Sequence, residues 1–242
     1  KKNVFFTNND TAYESAISLH KKGIQVQAII DIRENSKSAI VNEAINLGIK
    51  IYWSHTVVDT FGYKKLHKIS LMELSNDGQS TIGSKINIDC DCLGVSGGWT
   101  PAVHLFTQSG GKLKFRDEDE VFIPNIYPSK QISIGSCNGD FTLNEIIKNS
   151  SNSLKEFLEI ENTEYENLNI VNSIETDKRN IWLLPSDKVI GKTKPFVDYQ
   201  NDATAKDIKL ALREGFRSIE HVKRYTTTGM GTDQGKLGNM HA

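Results

Sequence analysis

The sequence predicts an α/β protein of two parts, with a large amino-terminal part and a small helical part at the carboxyl end. In the first half of the 242 residues, short apolar runs alternate with segments of helical spacing, which is typical of strands joined by helices. Residues 196–239 differ, because they predict two short helices followed by a polar loop rich in glycine. With 38% hydrophobic residues, the chain has enough apolar side chains for a globular core.

Composition argues against several classes of protein. The formal net charge of -1, from 29 basic and 30 acidic residues, gives no electrostatic case for binding nucleic acid or an anionic membrane. No run approaches the roughly 18 apolar residues of a transmembrane helix, and the start KKNVFF lacks the core of a signal peptide. The odd number of cysteines, three, fits a reducing compartment. We therefore expect a cytoplasmic protein.

Residues 3–31 have the pattern of a strand, a helix and a second strand. The apolar run NVFF passes into TNNDTAYESAISLHKKG, which has helical spacing, and IQVQAIID follows as the second strand. An acid, Asp31, ends that strand about 24 residues after the first turn. This arrangement predicts the first βαβ unit of a dinucleotide-binding Rossmann fold, with Asp31 as the ribose-binding acid. A solvated carboxylate at a strand end is the alternative interpretation of Asp31.

The turn between that strand and helix is unusual for a nucleotide site. Dinucleotide-binding turns have the pattern G-x-G-x-x-G or G-x-G-x-x-A, and the matching residues here are Thr7, Asn9 and Ala12. Side chains at Thr7 and Asn9 should obstruct the close approach of a pyrophosphate to the backbone. Thr7, Asn8 and Asn9 are thus candidate nucleotide contacts in a site that we expect to be impaired or repurposed.

Further strands are predicted over residues 49–62, 65–75 and 85–98, after a second helix near residues 38–48. Alternation in INIDCDCLGVSGG predicts that Cys90 and Cys92 share one face of a buried strand. Because no second cysteine pair supplies further ligands, we interpret them as structural thiols and predict no metal site.

The segment VSGGWTP, residues 95–101, is similar to the one that closes the pyridine-nucleotide domain in the flavoprotein superfamily of thioredoxin and glutathione reductases. This resemblance makes Gly97 and Gly98 candidate cofactor contacts. A strand exit followed by a helix that starts at Pro101 explains the same residues equally well. His104 has no identifiable catalytic partner and is interpreted as a packed helix residue.

Two segments follow before the helical part. Residues 110–125 predict a hairpin whose RDEDE turn is solvated, and residues 131–143 predict a strand, a glycine turn and a helix. In the same superfamily the chain returns here to an FAD-type domain through a Gly-Asp pair. Gly135 keeps the glycine while Ser136 replaces the acid, so cofactor contact through helix amides is expected at Gly135. By this resemblance, the other half of that domain should precede residue 1.

In the helical part, Asp202 or Thr204 is predicted to cap a helix over about residues 205–214, which Gly215 ends. Ser218 is predicted to start a second helix. This pair resembles the small [2Fe-2S] domain of the bacterioferritin-associated ferredoxin type. At the four positions where that family has cysteines, this chain has Asp198, Gln200, Asp233 and Gly238. The resemblance therefore implies a related helical fold without an iron-sulfur cluster, since the thiolates are missing.

The runs QNDATAKDI and REGFRSIEHVKRYTTTGMGTDQGK resemble the alpha subunits of the heterotetrameric sarcosine oxidase family. That resemblance implies an internal segment of an alpha subunit, in a complex that oxidatively demethylates sarcosine to glycine. It implies NAD in the alpha subunit and FMN and FAD mainly in the beta subunit, with smaller subunits and tetrahydrofolate at the level of the complex. A folate-binding region would follow residue 242.

Within this resemblance, the loop after the second helix is the candidate contact with flavin or the beta subunit, through Thr226, Thr227, Gly229 and Gly231. The alternative is that the loop only stabilises its own pair of helices. No residue is predicted to be catalytic.

The expected divisions are a nucleotide-binding domain over 1–115, a returning FAD/NAD-type segment over 116–150, a linker over 151–180 and the helical domain over 181–242. Three other functions stay open. One is an alpha subunit of a related dimethylglycine, opine or amino-acid dehydrogenase, and another is a non-catalytic assembly module. The third, a stand-alone reductase of the thioredoxin-reductase type, requires an intact glycine turn and a Cys-x-x-Cys pair, and the sequence has neither.

Overall fold

A computed structural model describes residues 1–160, 178–189, 192–236 and 238–242. The chain forms two compact units, the first from residues 1–73 and 83–180 and the second from residues 74–82 and 181–242. Most of the predicted linker, residues 161–177, lies outside the described residues.

The first nine strands alternate with helices only at the start of the chain. The strands are β1 (Asn3–Thr7), β2 (Val26–Asp31), β3 (Ile51–Trp53), β4 (His55–Gly62), β5 (Leu66–Leu74), β6 (Thr81–Asp89), β7 (Cys92–Ser96), β8 (Lys112–Arg116) and β9 (Val121–Ile126). The helices are α1 (Thr11–Lys21), α2 (Ala39–Asn46), α3 (His104–Gln108) and α4 (Leu143–Leu158), with a 3-10 helix over Gly135–Asn138.

A parallel sheet in the order β3-β2-β1-β7 forms the centre of the first unit. The antiparallel sheet β4-β5-β6 is inserted between β3 and β7, and β8 and β9 form a separate hairpin. The α/β class and the predicted first βαβ unit are therefore confirmed.

Strand β2, inside the parallel sheet, is buried on both faces. Ile29 packs with Tyr13 of α1 and Val41 of α2, while its neighbour Ile30 packs with Ile69 of β5 on the opposite face. Successive strand residues point to opposite faces, so a run such as VQAIID must be apolar at consecutive positions to fill both.

Three local predictions are wrong. Cys90 and Cys92 do not share a strand face, because Cys90 is buried in the turn before β7 whereas Cys92 is exposed at its first residue. Helix α3 begins at His104, after Pro101. Residues 131–134 form no strand, since nothing in the described part of the chain pairs with their backbone.

The second unit contains two short strands, β10 (Phe196–Asp198) and β11 (Ala203–Thr204), and two helices, α5 (Ala205–Arg213) and α6 (Ile219–Thr226). Thr204 caps α5 through a capping box with Asp207, and Ser218 is the N-cap of α6. Both helix starts agree with the sequence prediction. In the described ranges, no helix combines the length and the apolarity needed to cross a membrane.

Candidate functional site

The turn from β1 into α1 is filled by its own side chains. The Thr7 hydroxyl donates to the Asn9 carbonyl (2.9 Å) and accepts from the Asn9 amide (3.2 Å). Asn9 Oδ1 accepts from both the backbone amide (2.9 Å) and the hydroxyl (2.6 Å) of Thr11. Amides at such a helix start are the groups that hold phosphate in a dinucleotide site. Here side-chain oxygens already occupy the amides of Asn9 and Thr11.

Asn8 joins this turn to two distant segments. Its side-chain amide donates to the Gly97 carbonyl (3.3 Å) and to Asn180 Oδ1 (3.2 Å), and its own carbonyl accepts from the Arg179 amide (3.2 Å). A Cβ placed on Gly98 would lie 3.7 Å from side-chain atoms of Asn8 and Asn9. The structure thus brings the predicted candidates Thr7, Asn8, Asn9, Gly97 and Gly98 together.

Residues 178–180, called the closing segment below, are the last residues of the first unit in sequence and bind this edge of the sheet. Arg179 Nη1 donates to the Ile32 carbonyl (2.9 Å), and Lys178 Nζ donates to the Asp119 carbonyl. Asp119 also accepts from Arg116 Nε (2.7 Å). The RDEDE turn is exposed at Asp117 and Glu118, as predicted, whereas Asp119 is half-buried and paired with Arg116. No sequence signal pointed to the closing segment.

Asp31 is fully buried and its carboxylate is occupied. Arg33 Nη2 lies 2.7 Å from Asp31 Oδ2, and Arg33 Nη1 lies 2.8 Å from Asp10 Oδ1. The Tyr13 hydroxyl donates to Asp31 Oδ2 (2.8 Å), and the Arg33 amide donates to Asp31 Oδ1 (2.9 Å). The interpretation of Asp31 as a solvated carboxylate is wrong. A ribose at Asp31 would have to displace Arg33 or Tyr13.

Asp10, Tyr13, Asp31 and Arg33 form a buried group in which Tyr13 is neutral and Arg33 is charged. Burial and the neighbouring Asp31 carboxylate raise the pKa of Tyr13, so its hydroxyl remains a donor. Burial alone would lower the pKa of Arg33, but its hydrogen bonds and ion pairs with Asp31 and Asp10 raise it. Two carboxylates share one guanidinium, so Arg33 takes the place at Asp31 that the predicted ribose would need.

Gly135, a predicted cofactor contact outside the parallel sheet, lies at the start of the 3-10 helix Gly135–Asn138. Its φ of +69° is left-handed. At the start of α4, the Thr142 hydroxyl accepts from the Glu145 amide (3.2 Å), and Glu145 Oε2 accepts from the Thr142 amide (3.1 Å). A capping box therefore already engages part of the helix start that was predicted to face a cofactor.

In the second unit, Asp198 connects β10 to the loop that follows α6. Asp198 Oδ1 accepts from the amides of Gln200 (2.8 Å) and Asn201 (3.1 Å), and Oδ2 accepts from the amide of Gly229 (2.7 Å). Asp198 is buried, with only 4% of the residue exposed. The hydrogen bond from the Gly229 amide has the largest effect on the pKa of Asp198 and lowers it. Burial acts in the opposite direction but does not outweigh the hydrogen bonds.

The four positions predicted to correspond to cluster cysteines lie near one another, residue 200 beside residue 233 and residue 238 beside residue 198. Gln200 Oε1 accepts from the Asp233 amide (3.3 Å). A Cβ on Gly238 would lie 3.6 Å from the Asp198 Cα but only 2.5 Å from the Val197 carbonyl oxygen. A cysteine at residue 238 would therefore require the backbone to move. The side chains at these positions do not fit an iron-sulfur cluster, because none of them supplies a thiolate.

Residues 226–236, called the glycine loop below, are held by polar contacts with α6, with the end of β10 and with the turn that follows it. The Thr226 hydroxyl donates to the Val222 carbonyl (2.8 Å), and the Thr227 carbonyl accepts from the Asn201 side chain (3.0 Å). Thr227 and Gly229 have left-handed φ angles of 60° and 71°. The candidates Thr226, Thr227 and Gly229 thus shape the loop itself.

Asn239 was missed by the sequence prediction. A Cβ on Gly229 or on Gly235 would overlap with its side-chain amide, and both glycines have left-handed φ angles, 71° and 77°, that other residues rarely adopt. A Cβ on Gly231 would overlap with Gln200 Oε1. The glycine pattern marked the loop, but only the fold shows which side chains fill the space beside it.

The sheet order, the antiparallel insertion and the buried first βαβ unit define a Rossmann-type α/β protein. The L-proline dehydrogenase from P. horikoshii shares the fold, with a TM-score of 0.51 and 18% identity over 99% of this chain and 43% of that chain. At that level of identity, the likeness concerns the fold alone.

The sequence is similar throughout to sarcosine oxidase alpha subunits. It is 31% identical over 248 residues to that of Corynebacterium sp. (strain P-1), covering 99% of this chain and 25% of the relative. It is 31% identical over 254 residues to that of Rhizobium meliloti (strain 1021), covering 98% and 23%. Residues 192–242 match the family described as the sarcosine oxidase A3 domain. The predicted resemblance is confirmed, and the chain spans about a quarter of the length of these curated relatives.

Proposed function

We propose that this chain is part of the alpha subunit of a sarcosine oxidase-like flavoenzyme and that it is a scaffold within that complex. The observation that supports this most strongly is the similarity to sarcosine oxidase alpha subunits over 99% of the chain. The proposed reaction removes two electrons and two protons from the N-methyl amine of sarcosine, a hydride from the methyl carbon and a proton from the nitrogen. Hydrolysis of the resulting imine gives glycine and a one-carbon unit for tetrahydrofolate, and oxygen is reduced to peroxide. We assign no catalytic residue to this chain.

The proposed cofactors are FMN and FAD, mainly in the beta subunit, and NAD in the alpha subunit, without an iron-sulfur cluster. The turn between Thr7 and Asp31 does not fit a dinucleotide, because the side chains of Thr7 and Asn9 occupy two amides of the turn and Arg33 occupies the acid. We therefore place the NAD site of the subunit outside this turn, in the FAD-type part to which Gly135 belongs. The partners would be the beta subunit and the smaller subunits, in the cytoplasm.

We further propose that residues 181–242 form a helical domain of the ferredoxin type without its cysteines. The neighbouring positions of Asp198, Gln200, Asp233 and Gly238 support this relationship. We also propose the divisions 1–115, 116–150 and 151–180 for the rest of the chain. The break between compact units after Asn180 supports the last boundary.

The glycine loop is the proposed contact with flavin or the beta subunit, through Thr226, Thr227, Gly229 and Gly231. Its Met230 is 53% exposed, so the loop offers an apolar side chain to a partner. Gly231→Leu should push Gln200 away from the Asp233 amide and change the shape of the loop. We expect lower flavin content and weaker association with the beta subunit, measured by absorbance and co-purification. Glu214→Leu, exposed and outside the loop, is the control. Unchanged flavin content and assembly in Gly231→Leu would remove the loop from the contact.

The second candidate is an assembly module without cofactor. It is favoured because protein side chains occupy the β1–α1 turn and Asp31, and because the positions predicted to match cluster cysteines carry no thiolate. Titration of the protein with NAD and with FMN, in the presence and absence of the beta subunit, distinguishes the two. Retention of FMN with the beta subunit supports the oxidase, whereas absence of any flavin supports the module. An alpha subunit of a dimethylglycine, opine or amino-acid dehydrogenase would be recognised by its substrate and by failure to use oxygen.

A further inference from the structure

Asp198 binds two chain segments that are far apart in sequence. Its Oδ1 holds the turn after β10 through the amides of Gln200 and Asn201, and its Oδ2 holds the glycine loop through the amide of Gly229. Gly229 is buried and has a left-handed φ of +71°, so its amide direction is set by an uncommon backbone conformation. The three donors converge on one carboxylate.

A carboxylate suits this cage because it only accepts hydrogen bonds. Both of its oxygens can face N–H groups at once, as they do here, whereas an asparagine would present one oxygen and one pair of N–H donors. An amide that loses its acceptor in a buried site is left unsatisfied. The Asp198 side chain is therefore matched chemically to its place, and even an isosteric change should release one side of the cage.

Asp207 is another aspartate of this unit that accepts from a backbone amide, and it acts at a different place. Asp207 Oδ2 accepts from the amide (2.8 Å) and the hydroxyl (2.7 Å) of Thr204 and so fixes the start of α5. Its hydrogen bonds at Thr204 do not involve the glycine loop. The two aspartates thus stabilise different parts of the same unit, which makes Asp207 a matched control.

We propose that Asp198 is a positioning residue that sets the conformation of the glycine loop by filling a cage of three backbone amides. The exposed Met230 lies one residue after Gly229, so the cage also fixes where that side chain is presented. The consequence for partner binding rests on the proposed function, but the ordering of the loop does not.

Amide hydrogen exchange on the whole chain tests the ordering. In Asp198→Ala, which removes both carboxylate oxygens, we expect the Gly229 amide to exchange at least about tenfold faster, because it loses its acceptor. Asp207→Ala should speed exchange at the start of α5 and leave Gly229 unchanged. Equal Gly229 exchange in wild type and Asp198→Ala would overturn the inference.

Chemical rescue separates positioning from general stabilisation. In Asp198→Ala, added formate should bind in the cage in place of the missing carboxylate and slow Gly229 exchange towards the wild-type rate. Sodium chloride at the same ionic strength should not. If Asp198→Ala loses protection evenly over residues 192–242 and formate does not restore it, Asp198 only stabilises the unit and the inference is wrong.

Assembly is then measured separately. If Asp198→Ala loosens the loop and also weakens co-purification with the beta subunit, both the inference and the proposed contact are supported. If the loop loosens while assembly and flavin content stay at the wild-type level, Asp198 remains a positioning residue and the proposed contact fails.

Discussion

Arg33 shows how one residue changes a nucleotide-binding pattern into a structural one. Its guanidinium lies between Asp31 and Asp10, with all three side chains almost completely buried. Asp31 has the sequence position of a ribose-binding acid, but its oxygens bind Arg33 and Tyr13. In this chain the acid binds its own protein neighbours, and the cofactor pattern alone could not reveal that.

Removing Arg33 should be costly. Arg33→Met leaves two buried carboxylates without their partner, so we expect a loss of about 3–5 kcal/mol in the free energy of unfolding. Urea denaturation followed by circular dichroism measures it. Arg213→Met is the control, because the Arg213 side chain is 75% exposed and its contact with Glu214 is 3.5 Å long. That change should cost less than about 0.5 kcal/mol. Similar small losses in both variants would contradict the structural role of the buried group.

Asp198 should make stability depend on pH in the acidic range. Hydrogen bonds, first of all from the Gly229 amide, hold the pKa of Asp198 below its usual value. A lowered folded-state pKa stabilises the protein above the unfolded pKa of about 3.9. That contribution is lost as pH falls from there through the folded pKa. The difference in unfolding free energy between wild type and Asp198→Asn should therefore shrink below about pH 4. A difference that is constant from pH 7 to pH 3 would exclude this linkage.

At the scale of elements, local patterns were predictive and long-range contacts were not. Helix α1, strand β2 and the capped start of α5 follow from periodicity and from Thr204 and Asp207, which are three residues apart. The closing segment contacts Asn8 from more than 170 positions along the chain, and Asn239 fits beside Gly229 only in the folded loop. Such contacts depend on the tertiary arrangement and leave no local signature.

The turn from β1 to α1 should remain closed even when the side-chain hydrogen bonds of Asn8 are removed. Asn8→Ala loses the bonds to Gly97 and Asn180, and we expect it to destabilise the protein by about 1–2 kcal/mol. It should gain no affinity for NAD, since Arg33 still occupies Asp31. Chemical denaturation and calorimetric titration measure the two effects. Tight NAD binding by wild type or by Asn8→Ala in the absence of other subunits would show that the turn is open.

At the scale of the molecule, the two compact units should respond separately to mutation. Each contains its own buried polar centre, Arg33 in the first and Asp198 in the second. Domains with separate cores can unfold in separate transitions. Calorimetry should show that Arg33→Met lowers the transition of the first unit and Asp198→Asn that of the second. A single transition that both variants shift equally would mean that the units unfold as one.

The chain is similar to about a quarter of an alpha subunit, so the proposed oxidase must be tested in the assembled protein. The most direct measurement is the absorption spectrum of the complex, purified with its beta subunit, before and after anaerobic addition of sarcosine. We predict a flavin spectrum that bleaches with sarcosine and recovers with oxygen, and no iron-sulfur absorption. A flavin that sarcosine does not reduce, or an iron-sulfur spectrum from this chain, would contradict the account.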